Sequence, residues 1–150
     1  MKISLIEPRS PDYHVYSGLA IPRLGLPMLG TLLKRQGHDV TVYVEDLEEF
    51  SPQTALEVPR SDLVGISITS STAPRGYAMA RLLKLRQVPV VFGGVHATFL
   101  PEEPLQYGDY VIRGEAERCF PALVQALEDG SDLSDISNLV SQDGEQIVHN

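Results

Sequence analysis

Short strand-like apolar runs alternate with helix-period patterns along most of this 150-residue chain, and that alternation constrains the fold more than any other feature. Runs at 2–6, 62–68, 88–92 and 109–112 are near-continuously apolar, as strands buried on both faces of a parallel sheet must be. Residues 39–44 alternate apolar and polar side chains. Between these runs, 24–36 carries Leu24, Met28, Leu29, Leu32 and Leu33 at helical spacing and stops at Gly37. Residues 74–85 read as a helix with proline in its first turn, and 101–107 as a short one. Residues 115–128 place Phe120, Leu123, Val124 and Leu127 on one face, and Gly130 ends that pattern. Five such units predict a doubly wound α/β fold of flavodoxin-like (Rossmann-like) type. Its five parallel strands are expected in the order 2-1-3-4-5. After Gly130, two short alternating runs flank Asp143-Gly144 and predict a C-terminal β-hairpin. Residues 1–131 are read as one domain, and 132–150 as a hairpin or linker toward a further domain beyond a cut.

Charge excludes one class of partner. Twelve Lys and Arg against twenty Asp and Glu leave a net charge of −8, with no basic cluster to form a nucleic-acid footprint. No apolar run approaches the roughly 18 residues of a membrane span. The first residues lack the long apolar core and small-residue cleavage site of a secretory leader. One cysteine, Cys119, rules out an internal disulfide and a cysteine-ligated cluster within this chain, and it reads as a small buried apolar residue. The expectation is a cytoplasmic domain with neither a nucleic-acid nor a membrane partner.

In an open α/β sheet, ligands bind beyond the carboxyl ends of the strands, where strand order reverses. Four loops feed that crevice here: 8–23, 67–74, 93–101 and 113–116. They concentrate small residues, including Ser67, Thr69, Ser70, Gly93, Gly94 and Gly114. Such residues let a ligand approach the backbone closely and offer it amide and hydroxyl groups. Any one of them is ordinary in a βα turn, so only the four loops together point to a site. His96 follows Gly93-Gly94-Val95 at a strand end and is the histidine placed to touch a ligand.

The usual phosphate and acyl-transfer signatures are missing. Gly25 and Gly30 have P-loop spacing, but no lysine follows and they lie in an apolar helix pattern. No G-x-G-x-x-G follows the first strand, and no G-x-S-x-G elbow presents a nucleophile. A phospho-receiver would need an acidic pair and an aspartate at strand ends; the third strand ends in Ser67-Ile68-Thr69.

Several stretches together resemble the N-terminal cobalamin-binding domain of B12-dependent radical SAM proteins. These are Gly93-Gly94-Val95-His96-Ala97-Thr98, Pro101-Glu102-Glu103 and the run from Asp109 through Arg113-Gly114-Glu115-Ala116-Glu117. Pro22-Arg23-Leu24-Gly25-Leu26-Pro27, Gly37-His38-Asp39-Val40 and Leu63-Val64-Gly65-Ile66-Ser67 match the first helix and the second and third strands of that group. The group includes methyltransferases and the anaerobic magnesium-protoporphyrin monomethyl ester oxidative cyclase, and the resemblance covers essentially the whole chain.

The resemblance implies cobalamin as cofactor, with Gly93 and Gly94 leaving room for its nucleotide tail. Ser67 and Thr69 would bond the base or phosphoribosyl part, Ser70 beside them would belong to the same cofactor-binding set, and His96, Gly114 and Glu115 would meet the corrin rim. It assigns no catalytic residue and no metal ligand to this chain. The lower-ligand motif D-x-H-x-x-G begins at Asp12-x-His14, but Gly18 falls one residue late, so His14 is not assigned to cobalt. The 4Fe-4S cluster and S-adenosylmethionine would belong to a radical SAM barrel of the same parent chain, performing methyl transfer or oxidative cyclisation. Held between domain and barrel, cobalamin is expected to bind residues 1–150 alone weakly or not at all. A cofactor-free signalling or interaction module of the same fold, and a small nucleotide-binding enzyme, are the alternatives left open.

Overall fold

The computed structural model describes residues 1–10, 23–47, 61–144 and 146–150. In chain order the elements are β1 (Lys2–Glu7), α1 (Gly25–Arg35), β2 (Asp39–Val44), β3 (Leu63–Ser67) and α2 (Ala73–Leu85). They continue with β4 (Val90–Gly93), α3 (Val95–Phe99), α4 (Glu102–Leu105), β5 (Tyr110–Ile112), α5 (Cys119–Asp129), β6 (Leu139–Asp143) and β7 (Gln146–His149). All seven strands form one sheet in the order β2-β1-β3-β4-β5-β6-β7. The first five are parallel in the expected 2-1-3-4-5 order. The hairpin does more than append to the domain: β6 runs antiparallel to β5, so the sheet grows to seven strands.

Strand alternation divides the core into two. Ile3, Leu5, Leu63, Val91 and Ile112 point to one face, where they meet Leu26, Leu29 and Leu33 of α1 and Phe120, Leu123 and Val124 of α5. Ile6, Val64, Ile66, Val90, Phe92 and Val111 point to the other, against Tyr77, Met79, Ala80 and Leu83 of α2. Because both faces are covered, the central strands carry no solvated side, which is why they read as unbroken apolar runs. Gly130 closes α5 in the left-handed conformation, φ 67°, the usual reason for glycine after a helix end.

Two differences from the sequence expectation bear on the site. α5 begins at Cys119, four residues later than its periodicity suggests, so Glu115–Arg118 stay outside the helix. A five-residue helix, α3, occupies part of what reads as loop 93–101. His14, Asp12 and Gly18 lie outside the described residues.

Candidate functional site

On the α1/α5 face, the strands carry small side chains at their carboxyl ends. Period-two alternation puts Leu63, Gly65 and Ser67 of β3 on that face, and Val91 and Gly93 of β4 beside them. Ser67 and Gly93 are register partners at the strand ends. Ser67 and Gly93 leave a cavity of about 270 Å³, with Gly65 in its lining and packed by Leu5 and Phe120. Leu26 and Leu29 of α1, Phe120 of α5, Leu5 and Ile112 form its apolar wall. Ser67, Thr98, Gly114, Glu115 and Glu117 supply the polar part of the lining.

The two adjacent glycines do different things. A side chain on Gly93 would meet nothing nearer than the Ile112 carbonyl at 4.0 Å, so its Cβ direction is open space within the cavity lining. Gly94 has φ +92°, and a Cβ there would stand 2.6 Å from the Ile68 carbonyl oxygen and 3.0 Å from Ser67 Oγ. Gly94 is therefore required by backbone conformation and by close approach to the end of β3. That approach is bonded: Ile68 N–H donates to the Gly93 carbonyl at 2.9 Å, and His96 N–H donates to the Ile68 carbonyl at 3.2 Å.

A second tie joins the β4–α3 and β5–α5 loops. Thr98 Oγ1 donates to the Gly94 carbonyl at 2.9 Å and accepts the Gly114 amide at 2.9 Å. Gly114 adopts φ 67° at that turn. Beside the mouth, α3 and the residue after it leave Val95, Phe99 and Leu100 exposed, Phe99 at 78 %.

Of the eight residues singled out in the sequence, Ser67, Gly93, Gly94, Gly114 and Glu115 lie together along this cavity. Thr69, Ser70 and His96 are not among its lining. Thr69 N–H donates to Thr72 Oγ1 at 2.9 Å and closes the turn into α2. His96 is buried, with Nδ1 3.1 Å from Ser70 Oγ and Nε2 3.1 Å from the Tyr77 hydroxyl on α2. The Tyr77 hydroxyl donates to Glu103 Oε1 at 3.1 Å, and burial, followed by this bond, pushes its ionisation far above the ordinary tyrosine range. Gly65, Leu26, Leu29 and Phe120 were not singled out, because apolar wall residues read as plain core. Gly65 did carry a signal, since glycine inside a buried strand often marks a close approach.

Two buried carboxylates hold the ends of β1 and β2. Glu45 receives a two-pronged ion pair from Arg75, Nε to Oε2 at 2.8 Å and Nη2 to Oε1 at 2.6 Å, and accepts the Arg9 amide at 2.9 Å. Glu7 accepts Arg23 Nε at 2.6 Å and the Arg23 amide at 3.2 Å. These carboxylates anchor the chain on both sides of the β1–α1 connection. Cys119 is buried, its thiol donating to the Glu115 carbonyl at 3.3 Å, and burial pushes its ionisation up.

Comparison with known proteins adds the following. Residues 14–124 match the B12 binding domain family. An uncharacterized methyltransferase of Pyrococcus horikoshii is 35% identical over 148 residues, covering 93% of this chain and 32% of that protein. The anaerobic magnesium-protoporphyrin IX monomethyl ester cyclase of a Synechocystis strain is 32% identical, covering 99% of this chain and 32% of that protein. This chain thus spans about a third of the length of these relatives. Among solved structures, the cobalamin-dependent S-adenosylmethionine radical enzyme OxsB superposes with a TM-score of 0.81 at 16% identity, over 99% of this chain and 22% of its own. The radical S-adenosylmethionine methyltransferase TsrM of Kitasatospora setae gives 0.77 at 20% identity, over 98% of this chain and 29% of its own.

Proposed function

This chain belongs to the B12 binding domain family, and on that premise we propose that its cavity takes the nucleotide tail of cobalamin while the corrin lies outside the strand ends. The observation that carries this reading is the open space at Gly93 inside an apolar cavity at the carboxyl ends of β3 and β4. An apolar cavity of roughly 150 Å³ accepts benzene, so about 270 Å³ suits a flat bicyclic base. The corrin macrocycle is far too large for it and must remain at the mouth.

The chain's own residues then have definite tasks. Leu26, Leu29 and Phe120 exclude water from the base, and Ser67 offers a hydroxyl to a polar edge of the tail. Gly93 keeps the entrance clear. Gly94, Thr98 and Gly114 hold the two loops that form the rim, and Glu115 accepts bonds from corrin amides. Thr69, Ser70 and His96 contribute from the adjoining β3–α2 loop and α3 rather than from the cavity itself. Bound cobalamin supplies a cobalt centre able to carry and release a methyl group.

We assign residues 1–131 to this binding unit and 132–150 to the passage toward a radical SAM barrel in a longer parent protein. That barrel would hold the 4Fe-4S cluster and S-adenosylmethionine, and would carry out methyl transfer or oxidative cyclisation. The apolar residues Val95, Phe99 and Leu100 supply a face for the barrel or the corrin edge. No helix among the described residues is long and apolar enough to cross a membrane, and the cytoplasm is the compartment we propose.

The direct test is the absorption spectrum of the longer parent protein after incubation with hydroxocobalamin and removal of free ligand. Retained corrin bands support the reading. A cofactor-free interaction module or a nucleotide-binding enzyme would retain none.

A further inference from the structure

The four-residue chain from Ser70 to Glu103 has a hydrogen-bond direction that can be read off the chemistry. Glu103 sits at the exposed end on α4, and its ionised carboxylate only accepts. The Tyr77 hydroxyl donates its single hydrogen to Glu103 Oε1 at 3.1 Å. Toward His96, 3.1 Å away, the Tyr77 oxygen is therefore an acceptor. Glu103 Oε2, 3.5 Å from the same ring nitrogen, is also an acceptor. Both neighbours thus require the hydrogen of a neutral His96 on Nε2, which leaves Nδ1 bare. Among the described residues, the group facing Nδ1 is the Ser70 hydroxyl at 3.1 Å, and it must donate. Its only hydrogen is consumed inward, so the outward side of Ser70 presents lone pairs alone.

Ser70 is exposed, on the β3–α2 loop at the carboxyl end of the sheet. His96 reaches it from α3, whose Val95 and Thr98 line the cavity. We infer that Ser70 is an acceptor-only contact that selects a ligand N–H, with its polarity set at a distance by His96, Tyr77 and Glu103. Resting on the cobalamin reading above, the matching ligand group is a primary amide on the corrin rim. A carboxylate in that place would put lone pairs against lone pairs. To donate to it, Ser70 would have to abandon Nδ1 and leave a buried ring nitrogen unpaired.

Two measurements test this. Two-bond proton–nitrogen spectra of the apo chain report the His96 tautomer without any ligand. The Nε2–H form is expected, with Glu103→Ala, a change at an exposed position, giving a mixture. An Nδ1–H form, or a ring carrying hydrogen on both nitrogens, in the unsubstituted chain overturns the inference. The second measurement titrates the longer parent protein with cobalamin and its monocarboxylic acids, in which one corrin amide is hydrolysed. One monocarboxylate should bind the unsubstituted protein about tenfold or more weaker than cobalamin, the scale of one hydrogen bond lost to repulsion. That ratio should fall toward one in Ser70→Ala and in Glu103→Ala. Ratios unchanged by both substitutions refute the selection by Ser70 while leaving cobalamin binding intact. Failure of the longer parent protein to bind cobalamin refutes the cobalamin reading and the amide assignment together, and the tautomer still decides the direction of the relay.

Discussion

The hydroxyl of Thr98 accepts the Gly114 amide at 2.9 Å, so the loop after β5 hangs on a side chain from the helix after β4. The same oxygen donates to the Gly94 carbonyl. One side chain thereby fixes the spacing of both loops at the cavity rim. Thr98→Val, nearly isosteric, removes both bonds. It should destabilise the chain by about 1–3 kcal/mol, at about 0.5–1.5 kcal/mol for each bond. Thr98→Ser should stay close to the unsubstituted chain. Urea unfolding of the two variants checks the difference.

Gly93 and Gly94 should separate cleanly by mutation. Gly93→Val puts its branches into open cavity space, so the melting temperature should hold while cobalamin affinity drops. Overfilling a packed site costs about 1–3 kcal/mol, which is roughly one to two decades of affinity. Gly94→Val instead drives a Cβ against the Ile68 carbonyl oxygen at a positive φ. Loss of folded protein is the expected result there, seen by circular dichroism before any ligand is added. A stable, native-like Gly94→Val would contradict the backbone argument.

Glu45 is buried at 3 % exposure and depends on Arg75 for its countercharge. Arg75→Met strands that carboxylate, and breaking a buried pair from one side costs about 3–5 kcal/mol. Removing both charges in Glu45→Gln with Arg75→Met should recover much of the loss. A double-mutant cycle in denaturant measures the coupling, and additive single effects would argue against a buried pair.

Tyr77 gives the chain an alkaline liability. Burial first, and Glu103 second, hold its hydroxyl protonated well above its ordinary value of 10.0. Above about pH 10 the unfolded chain releases this proton while the folded chain keeps it. Stability must therefore be complete below that pH and decline as pH rises past it. Tyr110, raised chiefly by burial, adds to the same slope. Tyr77→Phe should flatten the decline without abolishing it, as read from denaturant midpoints between pH 9 and 11.

Much of the fold was legible because a parallel strand covered on both sides, such as Leu63–Ser67, has no polar alternation to confuse it. α3 was not legible. Val-His-Ala-Thr-Phe has weak helix propensity, and the helix is fixed by a tertiary bond, His96 N–H to Ile68 O, beside the local bond from Thr98 Oγ1 to Gly94 O. The delayed start of α5 escaped for a related reason. Residues 115–118 fit the helical period, yet Glu115, Ala116 and Glu117 line the cavity instead. Within the site, small residues at strand ends pointed to Ser67, Gly93 and Gly114. The apolar wall of Leu26, Leu29 and Phe120 looked like core, since a tail slot and a core are built from the same side chains. The separation of His96 from the cavity depends on which side of α3 faces α2, and periodicity over five residues does not resolve that.

The central claim is that the cavity beside Gly93 takes the nucleotide tail, and the sharpest measurement compares cobalamin with cobinamide, which keeps the corrin and lacks the nucleotide. Titrations of both are run with the 150-residue chain and with Gly93→Val, followed by amide chemical shifts. If the tail occupies the cavity, cobalamin binds, even weakly, and shifts Ser67, Gly93 and Phe120. Cobinamide should bind far more weakly and leave those three unmoved, and Gly93→Val should reduce cobalamin to the cobinamide level. Equal binding of the two corrinoids, with Gly93→Val indifferent to both, would contradict the claim.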